Sequence, residues 1–547
     1  MIHIYDNLPG LMLMCGLLIV GCVLFSKLSS RFSMPGLLVF LLIGMAMRLG
    51  VSTLAGGPES ITSQLPWRHA NLIGTLALSF ILFSGGLDSS LRDIRKVLRT
   101  GTILSTLGVL LTTLLLGGFA ACLATLAGHG ELWPHCLLFG AIISSTDASA
   151  VFSILRGRRI SLKGDLKPLL EYESGSNDPM ATFLTLFFLQ LCTDQGTEAG
   201  SLLKAAFWFL PQFLYQMGGG VLAGILVAKA AVWLFNHLRL DYDGLYYVLG
   251  VAVVFLCHAT AACLGANGFM AAYVGGVAMG AHRFVFRNSF SRFADALGWL
   301  MQVVLFTILG FMANPRVIGD HWILGVLMGA VLMLAARPLA TWLCLSGSGY
   351  SSRAKVLVSW VGLRGGAPIM LATFPMLLPA EQQTMLEGEV NICELIFNMV
   401  FCMVLLSVIL QSFTIMPLAK MLKLDSPLQV AATAPISFDQ VNYQEPGARQ
   451  KGEENPDDLA CNEPAVYRVH PGSFPEGKEI RDLALPRGVF IVMIARKGQW
   501  LAPRGETVLR AGDELTVLAT PANQKLAAAR FQPEAQETAP PAPVAKT

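Results

Sequence analysis

Charge is scarce in this chain. Of its 547 residues only 14% are Asp, Glu, Lys or Arg, while 54% are hydrophobic. Mean hydropathy is +0.58. That balance excludes an ordinary soluble domain and indicates a polytopic membrane protein. Neither sign of charge is in large excess. The formal net charge is +3, so no basic surface argues for a nucleic-acid partner. The eleven cysteines include no CxxC pair and no metal-ligand spacing with histidine, which excludes zinc ribbons and dithiol redox motifs. Cys15, Cys22, Cys122, Cys257 and Cys402 lie in apolar runs, where cysteine serves as a small buried hydrophobe. Nothing calls for a cofactor. There is no TVGYG-like filter of the potassium-channel kind. The acids within apolar runs also lack the Gly-x-Gly-Asp setting of an intramembrane aspartyl protease. The first apolar run, Leu8 to Leu28, has neither a basic n-region nor a small-x-small cleavage site, and reads as a first spanning helix.

What is abundant is long apolar runs. About thirteen stretches can enter a bilayer core that ~20 helical residues span. They fall near 8–28, 34–49, 70–88, 101–127, 132–155, 166–192, 206–235, 243–265, 267–283, 293–312, 320–345, 353–377 and 390–420. When the intervening loops are taken alternately, one set holds nineteen basic residues and the other four. The positive-inside rule then places the N-terminus outside and the C-terminus in the cytoplasm, which requires an odd number of spans.

Polar groups interrupt the apolar pattern at three places. The first is Glu171-Tyr-Glu173-Ser174-Gly-Ser176-Asn177-Asp178-Pro179, at the head of the apolar run Met180 to Leu191. Ser174, Asn177 and Asp178 are spaced i, i+3, i+4 and share a helix face, while Pro179 removes a backbone donor. Acids at membrane depth are costly and usually face a bundle interior or an aqueous cavity, where they bind ions or relay protons. Asp178 is therefore read as holding either a proton or a small monovalent cation. The second place is Ser144-Ser145-Thr146-Asp147-Ala148-Ser149, which breaks the fifth span. Asp147 there suits both a cation site and the N-terminus of a half-helix. The third is Trp360-Val-Gly362-Leu-Arg364-Gly365-Gly366-Ala-Pro368, which breaks the twelfth. Arg364 needs a buried partner, and Glu173, displaced from the Asp178 face, is the expected one, as a structural ion pair. All these donors are hard oxygens, suited to alkali ions and protons rather than zinc or copper. Breaks seven spans apart fit inverted repeats of spans 1–6 and 8–13 with two interrupted crossing helices.

Four motifs make the reading specific: Ser145-Thr146-Asp147-Ala148, Glu173 to Pro179, Gly265-Ala-Asn267-Gly-Phe269 and Val361-Gly-Leu-Arg364-Gly365. In order and spacing, across roughly residues 8–424, they resemble the NhaP-type cation:proton antiporters, whose wider family includes the sodium/proton exchangers. The resemblance implies that Asp178 is the exchanging, cation-binding acid. It implies further ligands in Thr146, Ser174 and Asn177, a Glu173–Arg364 pair, a thirteen-helix protomer and a homodimer in contact with membrane lipid. One departure is visible. Many relatives carry an acid in the third span where Leu82-Phe83-Ser84-Gly85-Gly86-Leu87-Asp88 has Ser84. Asp88 lies one turn later and reads as a solvated acid at a cytoplasmic helix end.

After Lys423 the composition changes. Residues 425–464 are polar and read as a linker. Residues 465–531 carry β-like runs at Val489–Ala495 and Glu514–Ala519, turns at Gly498 and Gly512, and a short helix over Asn523–Arg530. The tail 532–547 is rich in Pro and Ala and reads as disordered. Segments such as Gly477 to Leu483 and Leu509 to Asp513 resemble the C-terminal ligand-binding domain of potassium-transport regulators, which implies a small-molecule ligand.

The expectation is thus an all-α polytopic membrane domain with a small α+β cytoplasmic domain. Its function would be the exchange of K⁺, or alternatively Na⁺, for protons at the bacterial inner membrane, in cytoplasmic pH and cation homeostasis. Asn177 in place of a second aspartate favours an electroneutral one-for-one exchange. A regulated cation channel is the rival from another class.

Overall fold

The computed structural model describes residues 16–24, 36–54, 66–157, 160–193, 199–386, 390–427 and 463–519, apart from a few positions within these ranges. It divides into two compact units, 1–442 and 443–547.

In a bilayer every backbone N–H and C=O must be satisfied internally, so apolar runs become helices. The first unit follows this rule. Its helices are α1 (Gly36–Leu54), α2 (Trp67–Asp88), α3 (Leu91–Leu126), α4 (Trp133–Ile143), α5 (Ala148–Gly157) and α6 (Leu166–Thr193). There follow α7 (Ala199–His237), α8 (Asp243–Cys263), α9 (Gly268–Gly280) and α10 (Arg287–Met312). The last are α11 (Pro315–Cys344), α12 (Ser352–Trp360), α13 (Gly366–Leu371) and α14 (Ile392–Met421). Among the described residues, eight helical stretches are long and apolar enough to cross a membrane, and α1, α9 and 366–377 are shorter apolar helices. Part of the predicted first span, together with Lys27, Arg31, Arg158, Arg159 and Arg239, lies outside the described residues.

Two helices break where polar and glycine-rich sequence interrupts the apolar run. The α4–α5 rod opens at Ser144–Asp147, and α12–α13 opens at Val361–Gly365. Two more irregularities match each other. A π turn occupies Leu104–Gly108 in α3, and another occupies Leu332–Ala336 in α11. Such turns tilt the residues that follow them and recur at functional sites. Arg337 follows the second directly.

The first three residues of the predicted linker are ordered against the membrane domain. Asp425–Pro427 forms strand β4, paired antiparallel with β1 (Ile160–Leu162), and Lys163 N donates to Leu424 O at 2.9 Å. The residues after α14 are thereby fastened to the connection between α5 and α6. A second short ribbon joins β2 (Met385–Leu386) to β3 (Val390–Asn391).

The second unit is an antiparallel sheet of order β5-β8-β6-β7. Its strands are β5 (Glu463–Arg468), β6 (Val489–Arg496), β7 (Gln499–Leu501) and β8 (Glu514–Ala519). Leu483, Ile494, Leu509, Leu515 and Val517 form its small core. The helix expected at 523–530 and the tail 532–547 lie outside the described residues, so what is described of this unit is a β domain with one short 3-10 turn, Ile480–Leu483.

Candidate functional site: where two helix breaks meet

The two breaks touch through their backbones. Asp147 N donates to Leu363 O at 2.7 Å, and Arg364 Nη1 donates to Ser145 O at 2.7 Å. Contact this close needs glycine. A Cβ on Gly365 would collide with the Asp147 carboxylate, and one on Gly362 would lie 2.8 Å from Arg337 Nε. Leaving the helical ladder would strand several backbone groups, and side chains take them up. Asp147 Oδ1 accepts from Ser149 N at 2.9 Å and Ala150 N at 3.2 Å, capping α5. Arg364 N donates to Ser407 Oγ of α14 at 3.1 Å.

α6 supplies the third wall. Its face is the one that the i, i+3, i+4 spacing predicts. Ser174 Oγ donates to Thr146 O and accepts from Ala148 N, both at 3.0 Å. Asn177 Nδ2 donates to Thr146 Oγ1 at 2.5 Å, and its Oδ1 is buried without a partner. Asp178 Oδ1 accepts a hydrogen bond from Ser145 Oγ. Pro179 runs through the helix without ending it, so Gly175 O loses its i+4 donor. Asn267, from the third motif, donates to Pro179 O at 2.9 Å and caps α9 through Met270 N.

A cavity of about 680 Å³ opens onto this meeting point. Asp178, Asp147, Ser145, Thr146 and Ser174 line it, and Gly175 lies among them. Ser84, Asp88 and Asp295 line it further along. Asn177, Glu173 and Arg364 do not line it. The structure therefore brings together every expected site residue but divides them. Asp178, Asp147, Thr146 and Ser174 face open space, while the others stand behind.

One expectation is overturned. The Glu173 carboxylate pairs with Arg337 of α11, not with Arg364. Both members of that pair are almost fully buried. Arg364 is equally buried but spends its contact on the Ser145 carbonyl, while Glu173 and Arg337 act on it electrostatically. Arg337 directly follows the π turn of α11, and its guanidinium reaches Glu173 of α6. The sequence signal for this was an arginine followed by proline in the middle of an apolar run, at 337–338.

Two further residues escaped notice. Ser145 stood inside a quoted motif, yet it is the hydroxyl that touches Asp178. Asp295 of α10 accepts from Ser84 Oγ at 3.0 Å, so a carboxylate does reach the wall at that level, from a different helix. Asp88 is exposed at the end of α2, as expected, and accepts from Ser291 Oγ at 2.8 Å. His258 is packed, with Nδ1 2.9 Å from Ser79 Oγ and its ring edge-on to Phe269.

Residues 16–421 match the model of the family described as sodium/hydrogen exchanger, transmembrane. The chain belongs to the sodium/hydrogen exchanger family. Residues 465–532 match the TrkA-C domain. Among curated relatives, the K(+)/H(+) antiporter NhaP2 of Shewanella sp. (strain MR-4) is 35% identical over 518 residues, 94% of this chain and 82% of that protein. The K(+)/H(+) antiporter NhaP of Alkalimonas amylolytica is 33% identical, covering 92% and 80%. The Na(+)/H(+) antiporter NhaP of Pseudomonas aeruginosa is 28% identical, covering 72% and 90%. Among solved structures, the sodium proton antiporter MjNhaP1 of Methanocaldococcus jannaschii at pH 8 superposes with TM-score 0.61 at 25% identity, over 75% of this chain and 99% of that one. This exchanger-family member is thus a multi-pass secondary transporter of the cation/proton antiporter class, not an enzyme.

Proposed function

We propose that the protein exchanges one K⁺ for one H⁺ across the bacterial inner membrane, with its N-terminus outside and its C-terminus in the cytoplasm, as a homodimer serving pH and cation homeostasis. The observation that carries this reading is the position of Asp178. It is a buried carboxylate at the end of an open cavity, and its described hydrogen-bond partner is a single hydroxyl. A proton or a cation can occupy it, but not both. Thr146, Ser174 and Asn177 would complete the cation site with neutral oxygens, Ser145 would join them, and Asp147 would contribute charge from the capped end of α5.

The fixed charges support a one-for-one exchange. Arg337 and Arg364 oppose Glu173, Asp147 and Asp178 within one cluster. With all five ionised, the empty site carries one net negative charge. One proton or one monovalent cation makes it neutral. The loaded site crosses without electrical work in either form, and the empty one does not, since a unit charge costs ~2.3 kcal/mol per 100 mV. The matching irregularities, π turns in α3 and α11 and breaks in α4–α5 and α12–α13, support two inverted repeats.

K⁺ is preferred over Na⁺ because the family domain is joined to a TrkA-C domain and the relatives that span both are named K(+)/H(+) antiporters. The similarity to a Na(+)/H(+) antiporter over 72% of the chain keeps Na⁺ as the second reading. The C-terminal domain would bind a small ligand and adjust the rate.

Cation-driven proton flux in proteoliposomes tests the proposal, with K⁺, Na⁺ and Li⁺ at 0 and −100 mV. The expectation is K⁺-dependent flux that is equal at both voltages, abolished by Asp178→Asn, and retained with altered pH or ligand response on truncation after residue 424. Undiminished flux in Asp178→Asn would overturn the site assignment, and strong voltage dependence the stoichiometry.

A further inference from the structure

A second cavity has Pro338, the neighbour of Arg337, on its wall. This groove of about 460 Å³ runs between α11, α12 and α14, lined by Leu334, Pro338, Trp342, Val356, Trp360 and Pro417. The hydroxyl of Thr414, also on its wall, is already engaged by Trp360 Nε1 at 2.8 Å and by Leu410 O at 2.7 Å. The groove therefore offers an occupant apolar surface and almost no free hydrogen-bonding group. At one end the chemistry changes. Lys355 Nζ stands 5.8 Å from the centre of the Trp342 ring. Arg353 lies within the first turn of α12, and Lys420 immediately precedes Met421, which lines the same end. Among the described residues, none of these three cations pairs with a carboxylate.

We propose that this groove binds an anionic phospholipid of the cytoplasmic leaflet, with one acyl chain between Trp342 and Trp360 and the headgroup phosphate on Lys355, Arg353 and Lys420. α11 and α14 are long and apolar enough to span, their C-terminal ends are Cys344 and Met421, and tryptophan and lysine near such ends mark the membrane interface. On the proposed orientation this is the leaflet whose surface is negative, and each lysine or arginine near it gives roughly a fivefold preference for anionic lipid. A neutral lipid would fill the apolar part equally well but leave the three cations unmatched. The position also gives the site a route to ion exchange. Pro338 is the neighbour of Arg337, which holds Glu173. Trp360 is the last residue before the second break, and its carbonyl accepts from Gln411 Nε2 at 3.0 Å. Gln411 Oε1 in turn takes the hydroxyl of Ser407, the side chain that receives Arg364 N.

The test is tryptophan quenching by brominated lipid, a readout independent of transport. The full-length protein is placed in phosphatidylcholine nanodiscs containing equal fractions of acyl-brominated phosphatidylglycerol or acyl-brominated phosphatidylcholine. The expected result is stronger quenching by the anionic lipid. That excess should disappear in Trp342→Phe/Trp360→Phe and in Arg353→Gln/Lys355→Gln/Lys420→Gln. In the wild type it should also shrink on raising salt to about 1 M, where screening is short-ranged, an arm that needs no variant to fold. Equal quenching by the two lipids in the wild type overturns the proposal. So does an excess that survives either set of substitutions. A second copy of the chain filling the groove would leave both tryptophans unquenched by either lipid, which also overturns it.

Discussion

The two helix breaks are built from opposite materials. The first, Ser144–Asp147, carries three hydroxyls and a carboxylate and lines the open cavity. The second, Val361–Gly365, carries two glycines and an arginine, and its charged group is turned away from the cavity. Both leave the helical ladder for a similar length, and each satisfies part of the other. The difference sets a cavity-lining carboxylate, Asp147, beside an arginine that is turned away from the cavity. The oxygen-rich break faces the open cavity. The glycine-rich break lets its backbone approach closely enough for Arg364 to hold the first in shape. Arg337 then neutralises Glu173 from behind. A carboxylate that faces the cavity, Asp178, therefore sits within a few residues of one held by a buried arginine, Glu173.

That contrast between paired and cavity-facing charge can be broken experimentally. The largest effect is expected at the buried pair. Glu173→Leu should lower stability by about 3–5 kcal/mol, because it leaves Arg337 charged and buried, whereas Glu173→Leu/Arg337→Leu should recover most of the loss. Thermal unfolding in detergent checks this. Recovery by Glu173→Leu/Arg364→Leu instead would restore the pairing that the sequence suggested. Next is the hydroxyl on the cavity side. Ser145→Ala removes the donor to Asp178, a contact of the charged kind worth roughly 1.5–3 kcal/mol, so apparent cation affinity should shift by about ten- to a hundredfold with little change in melting temperature. Concentration dependence of flux reads this out.

A smaller structural effect is expected at Asp147. Asparagine caps a helix about as well as aspartate, so Asp147→Asn should keep stability within about 1 kcal/mol. Its flux should nevertheless fall and become voltage-dependent, because the loaded site would then carry one positive charge. Unchanged, voltage-independent flux would confine Asp147 to capping.

The smallest effect is in the C-terminal sheet. Burial raises the Asp513 carboxyl, but hydrogen bonds from Arg496 and from the Arg510 backbone more than offset this and hold it below the usual carboxylate range. A depressed folded-state value contributes stability above the ordinary carboxylate range, and that stability is lost as pH falls through the depressed value. Protection of the backbone amides of 489–496 and 514–519 in the intact protein, measured against their intrinsic exchange rate at each pH, should therefore be high at neutral pH and fall in acid. The acid sensitivity should be absent in Asp513→Asn.

The site was legible as far as local chemistry reaches. Ser174, Asn177 and Asp178 share a face because of their spacing, and the breaks fall where polar and glycine residues interrupt apolar runs. Both can be read from neighbours in the chain. The partner of Glu173 was only half legible: Arg337-Pro338 inside an apolar run marks a second buried arginine, but the choice between it and Arg364 is made by contacts between helices far apart in the chain. Asp295 was missed for a similar reason. Its neighbours Arg292 and Phe293 suggest only a helix end, and its place beside Ser84 comes from the packing of α10 on α2.

The sequence by itself determined that this chain enters a membrane, because apolar runs of that length have no other stable solvent. It also placed Asp178 at the head of an apolar run, where an ionisable group is costly and points to a candidate site. The tertiary structure decided which charges are paired and which face the cavity. Whether a carboxylate is neutralised by an arginine or left facing a cavity depends on distances between helices more than a hundred residues apart, and Coulomb attraction in a poorly polarisable interior is decided by those distances.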